Sequence, residues 1–185
     1  RILPRKPSAT PPGSSRIVPA MPDVQLITRS LFDEVRQRAE QSPRRRMNHN
    51  FHSSMEDNPH RFLNVLLRGT YVRPHRHLDP PKAESWVLLE GEALLLTFDD
   101  AGAITGRYTL AAGGETCGID VAPGIWHTVC ALTGVAVIYE VKPGPWAPAT
   151  DKEFAQWAPA EGDPRAPEFL ARWLRPAQRP GSNEA

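Results

Sequence analysis

The chain has 185 residues, enough for one hydrophobic core and too few for two comfortable ones. Its 22 lysines and arginines nearly balance 21 acids, which leaves no global field to draw nucleic acid or a membrane surface. No apolar run approaches the roughly 18–20 residues that span a bilayer, and Cys117 and Cys130 are too few for a disulfide framework, so they read as reduced thiols packed as small hydrophobes in a cytoplasmic protein.

Residues 1–22 read as a disordered tail, because Pro4, Pro7, Pro11, Pro12 and Pro19 alternate with Ser, Arg and Gly and show no apolar period. Residues 23–60 read as a helical segment packed on the strand region. Ser30 with Asp33 resembles an N-cap and its acid, and Leu31, Val35 and Ala39 recur at helical spacing over 30–41. Arg44, Arg45 and Arg46 then read as a solvated turn. Residues 61–146 hold eight short β-like runs, at 62–68, 70–77, 85–90, 92–98, 104–110, 117–122, 126–132 and 134–142, with Asp99 to Gly102 as a hairpin turn. Residues 147–175 return to helix, with a capping box at Thr150 to Glu153 ahead of Phe154 and Trp157, and a segment opened by Asp163-Pro164 that ends at Leu174. Trp146, Trp157 and Trp173 in this region read as staples onto the strands. Residues 176–185 form a second polar tail. The expected fold is mainly β, one antiparallel barrel or jelly roll with flanking N- and C-terminal helices.

Within the strand region, Gly69-Thr-Tyr-Val-Arg-Pro-His75-Arg-His77 is followed by Glu84 and Gly91, and later by Pro123-Gly124-Ile-Trp-His127. Three imidazoles and a carboxylate are a plausible set of direct ligands for a divalent metal with open positions for substrate. On a strand, His75 and His77 point to the same side. These residues resemble the cupin superfamily, whose first motif is G-x5-H-x-H-x3–4-E-x6-G and whose second is P-x-G-x2-H. Two departures stand out: six residues, Leu78 to Ala83, separate His77 from Glu84, and Ala122 occupies the place of the second motif's proline. The gap puts Glu84 in doubt as a ligand.

Tyr71 to His77, Leu96 to Asp100, Pro123 to Thr128 and Glu140 to Trp146 look more narrowly like the WbuC family of cupin-fold metalloproteins, associated with bacterial surface-polysaccharide gene clusters. The resemblance implies one divalent ion held by His75, His77, Glu84 and His127, with Zn, Fe, Mn, Ni and Cu all admissible. It implies a small-molecule substrate, a sugar or nucleotide-sugar derivative by association, and isomerase/epimerase- or dioxygenase-type chemistry. A non-catalytic, metal-dependent binding module is the alternative. No nucleic acid or membrane partner is expected, and a homodimer is compatible with the reading.

Other residues are candidates by their place on the strands. Tyr71 and Arg73 would share a face with His75 and His77, Tyr71 as a catalytic group and Arg73 either as an anion clamp or as a solvated residue at the barrel mouth. On the last strand Val135, Val137, Tyr139 and Val141 form one face, and Ala136, Ile138, Glu140 and Lys142 the other. If the second lines the interior, Glu140 and Lys142 can act as acid and base. The β-branched run on the first face favours the reverse, with Glu140 and Lys142 outside. His52 lies in a segment that could cover the pocket mouth and bind substrate, Trp126 is either packing or an aromatic wall for a sugar ring, and His49 and His60 read as surface.

Overall fold

The computed structural model describes residues 22–176, so both expected tails lie almost wholly outside the described residues. In chain order come α1 (Arg29–Gln41), β1 (Arg46–Asn50), β2 (His60–Leu67), β3 (His75–Arg76), β4 (Glu84–Phe98), β5 (Ile104–Ala111), β6 (Gly118–Val121), β7 (Trp126–Lys142), β8 (Glu153–Phe154) and α2 (Ala166–Leu174). All eight strands belong to one sheet in which every pairing is antiparallel. The mainly β architecture with helices at its flanks is the one the sequence predicts.

β4 and β7 carry the fold. Each was expected as two short strands, and each is one long strand that bends without breaking. Their ladder runs from Ser85 opposite Val141 to Phe98 opposite Trp126, with irregularities between Leu88 and Glu90 and between Gly91 and Ala93. Gly91 takes φ +75°, and a β-carbon there would fall against the Val135 carbonyl oxygen. A bulge of this kind curls the sheet so that one face closes on itself.

Leu66, Trp86, Leu88, Leu95, Leu110, Val129, Ala136 and Ile138 fill the concave interior. The convex side of β2 and β7, with Leu63, Val65, Leu67 and Val137, is covered by Phe32, Val35 and Ala39 of α1. Both faces of β7 are therefore buried, which is why its apolar pattern misleads. The β-branched face meets α1, and Ala136, Ile138, Glu140 and Lys142 look inward. A third cluster packs Leu170 and Trp173 of α2 against Leu94, Leu96, Phe98, Trp126 and Cys130. Cys130 is the packed thiol expected; Cys117 is exposed instead.

Several local expectations change. Thr28, not Ser30, caps α1, since its Oγ1 accepts from the Leu31 amide at 3.2 Å. The expected strand 70–77 shrinks to His75–Arg76, because Pro74 cannot donate to a ladder. The capping box at Thr150 to Glu153 opens no helix: Glu153 and Phe154 pair with β3 as β8. The 23–60 segment also holds β1, which was not foreseen. No helix among the described residues is long and apolar enough to cross a membrane.

Candidate metal centre

Two motif turns place the candidate donors. His75 and His127 are directly opposed in the β3–β7 pairing. The Gly124 amide donates to the His77 carbonyl at 3.0 Å, with Gly124 at φ +79°, a conformation glycine takes without strain. Glu84 begins β4 and faces inward like Trp86 and Leu88. The six-residue gap after His77 does not carry Glu84 away. One donor atom from each of His75, His77, Glu84 and His127 lies within 4.8 Å of all the others. These four residues are 4, 2, 1 and 2% exposed.

The proton positions decide what this cluster can hold. Each histidine turns Nδ1 toward a backbone carbonyl: His75 to Arg73 at 3.0 Å, His127 to Ile125 at 2.9 Å, and His77 to Asp151. A neutral imidazole has one N–H. Spending it on the carbonyl leaves Nε2 as a bare lone pair, an orientation common to metal-binding histidines. Yet Nε2 of His77 stands 2.8 Å from Glu84 Oε1, and Nε2 of His127 stands 3.1 Å from Glu84 Oε2. Nε2 of His77 is also buried without a hydrogen bond. Lone pairs facing a carboxylate repel unless a cation or an added proton lies between them. A divalent cation satisfies all four donors at once, so the residues fit a metal.

The surrounding charges are as deeply enclosed. Lys142 Nζ lies 3.5 Å from Glu84 Oε1 and 3.3 Å from Asp151 Oδ2, and Lys82 Nζ lies 2.7 Å from Asp151 Oδ1. Burial works against ionising Glu84, but a proton shared with His127 and with His77, in the metal's place, and the Lys142 charge outweigh it and hold its pKa well below the usual range. Burial works against the Lys142 ammonium too, and Glu84, Glu140 and Asp151 overcome it, raising its pKa. Glu140 accepts from Asn64 Nδ2 at 3.3 Å, and burial, with the Glu84 charge adding to it, pushes its carboxyl up to about 8. Burial, then the Lys152 and His127 charges, hold His75 well below the ordinary imidazole value. Taking so many charged groups from water costs several kcal/mol per ion before pairing repays it. Such a cluster does not arise as a route to stability.

A cavity of about 460 Å³ opens on the other side of Lys142, lined among others by Met47, His52, Phe62, Trp146, Lys152 and Phe154. His52 lines this cavity, and His60, expected at the surface, is buried and stacks on His52 with ring centroids 4.2 Å apart. Trp146 walls this cavity instead of stapling the C-terminal segment.

Three other candidates lie elsewhere. Tyr71 donates to the Pro159 carbonyl at 2.9 Å and stacks on Trp173, beside α2. Arg73 spends its guanidinium on the Ala155 carbonyl, at 2.7 and 3.2 Å, so its clamp is already filled; its own carbonyl holds His75. Both follow from the loss of the 70–77 strand, since without strand alternation they need not share the histidines' face. Trp126 is 8% exposed, donates to Asp100 and lies under the Arg76 guanidinium, as packing and not as a ligand wall. A larger cavity, about 820 Å³, lies between Tyr71 and α2 and touches none of His75, His77, Glu84 and His127.

Lys82, Asp151 and Lys152 were not singled out from the sequence. They sit on loops, where no periodicity marks a side chain as inward. The signal available was the inserted Lys82 itself, a charge between two prolines and the expected ligand Glu84.

A family model described as a domain of unknown function, DUF6016, matches residues 27–110 and stops short of His127. No curated protein matches the sequence. Among solved structures, the capsular polysaccharide assembling protein CapF from Staphylococcus aureus is similar at 18% identity and a TM-score of 0.48, covering 58% of this chain and 31% of its own. The chain thus spans under a third of that protein's length. A cupin superfamily protein from Desulfitobacterium hafniense is similar at 14% identity and a TM-score of 0.42, covering 53% of this chain and 76% of its own. NovW, a 4-keto-6-deoxy sugar epimerase from the novobiocin biosynthetic gene cluster of Streptomyces spheroides, gives 19% identity and a TM-score of 0.43, covering 51% and 49%. Identities and scores this low say nothing of substrate.

Proposed function

We propose that the protein is a mononuclear metal-dependent enzyme that acts on a small polar molecule, of the cupin type and resembling the WbuC family. The observation that carries this reading is the convergence of four donors within 4.8 Å with each histidine's Nδ1 turned to a backbone carbonyl. His75, His77, Glu84 and His127 would hold the ion, which polarises a bound oxygen or lowers the pKa of bound water. Glu140 is the group suited to moving a proton. It faces the interior, and a carboxyl near 8 is populated in both forms at neutral pH. A cation in the cluster pulls that value toward neutrality. Lys142, set between Glu84 and Asp151, fixes the Glu84 carboxylate and supplies positive charge at the cavity's inner end. The resemblance to surface-polysaccharide proteins favours a sugar or nucleotide-sugar derivative as substrate. A purely binding module would be served by an apolar lining, and the inward Glu140 and Lys142 speak for chemistry instead.

The test is elemental analysis of protein purified without a polyhistidine tag. We expect about one divalent ion per chain, none in the His75→Ala/His127→Ala double variant, and a lower Tm for that variant. Stoichiometric metal in the double variant would sink the assignment. Once turnover is found by screening, Glu140→Gln at equal metal content should lose about 10²–10⁴-fold in rate, and full activity would remove Glu140 from the proton-transfer role; metal-dependent ligand binding with no turnover of any substrate would move the reading to a binding module.

A further inference from the structure

The cavity beyond Lys142 has one enclosed charge left over, apart from Arg44, which also lines it but is exposed. Lys82 and Lys142 are both engaged by Asp151, and Lys142 also by Glu84. Lys152 lines the same cavity and has no hydrogen-bond or ion-pair partner among the described residues. Near it are Glu84, Glu140 and Asp151 as acids and Lys142 as a base; the last competes with it, and burial and that competition lower its pKa. A divalent ion in the cluster makes the region net positive, since Lys82, Lys142 and Lys152 already match the three carboxylates. A half-buried ammonium without a partner costs free energy that an incoming anion recovers. The cavity's apolar lining is Phe62, Trp146, Phe154, Met47 and Met55. His52 also lines this cavity, and its buried Nε2 has no partner. Its Nδ1 stands 3.1 Å from the Arg61 carbonyl and 3.2 Å from the Arg61 amide, so Nε2 is free to meet a ligand as donor or acceptor.

We propose that this cavity binds a small organic anion with a ring or other flat face, its carboxylate or phosphate held by Lys152 and its ring against Trp146 and Phe62. The inference rests on the metal reading only for where the ligand's other end lies. Its anion contact stands apart, because none of Lys152, His52, Trp146 and Phe62 is a metal ligand. A volume of about 460 Å³ suits a monosaccharide derivative or an aromatic acid.

Calorimetric titration of metal-loaded protein tests it, with galacturonate, glucose 1-phosphate and inorganic phosphate as anions and glucose as the neutral control. The expected result is binding of at least one sugar anion, tenfold or more tighter than glucose. Lys152→Met should remove that advantage, and Trp146→Ala should weaken the sugar anions without changing inorganic phosphate. Preference for galacturonate or for glucose 1-phosphate identifies carboxylate or phosphate as the group held. The His75→Ala/His127→Ala variant separates the two readings: anion selectivity that survives there upholds this site even if no metal binds. Equal affinity for glucose, unchanged binding in a Lys152→Met variant with wild-type circular dichroism, or no binding by any probe would each overturn it.

Discussion

Glu84 is the residue on which the centre turns, because both its oxygens are committed to histidine nitrogens while Lys142 approaches one of them. Replacing it with Gln substitutes a neutral amide whose NH2 must point at a lone pair or at Lys142. Metal affinity should fall, and the visible spectrum of the cobalt-substituted variant should change in intensity and band position. A spectrum identical to wild type would show that Glu84 is not bound to the ion. Lys142 then loses the negative charge of one of its two partners, so some loss of stability should accompany the change, as for any broken buried ion pair.

At the level of elements, Gly91 shows how much depends on one bend. It sits between the two irregularities of the β4–β7 ladder, in the left-handed region and against the Val135 carbonyl. Gly91→Ala should destabilise by about 2 kcal/mol or more, since the backbone is unsuited to a β-carbon and the neighbour is main chain that cannot step aside. A urea midpoint equal to wild type would mean that the strand does not bend there. Gly91 was legible as the last residue of a motif, whereas the continuity of β4 across it was not, because glycine in a strand reads as a break. The four clustered donors were legible for a different reason: their spacing is fixed by two turns and a strand start, all local. What stayed hidden depends on distant contacts. The inward face of Glu140 is set by α1 covering the opposite face of β7, and the false helix at 150–157 by β3 offering an edge that β8 completes. Local propensity speaks for neither.

For the whole molecule, the buried charges make stability a function of pH, with opposite signs on the two sides. His75 and Glu84 both have folded pKa values below their unfolded ones, so the unfolded chain binds more protons and stability is lost as pH falls. That loss begins below about 6.5 for His75 and below about 4.5 for Glu84. Glu140 works the other way. Its folded value near 8 lies above the ordinary 4.5, so its contribution is complete below 4.5 and is lost as pH rises to about 8. Between pH 6.5 and 8 only Glu140 of these three titrates, so the Tm of chelator-stripped protein should fall across that interval. Glu140→Gln, neutral and nearly the same shape, should abolish this fall and leave the loss below pH 4.5 unchanged. Metal-loaded wild type should show a shallower fall than the stripped protein, because a cation in the cluster favours the Glu140 carboxylate. Thermal melts of the three samples from pH 4 to 9 check all of this together. A Glu140→Gln variant whose Tm tracks the stripped wild type between pH 6.5 and 8 would show that Glu140 is ionised throughout that range, and with it would go the proton-carrying role assigned to this side chain.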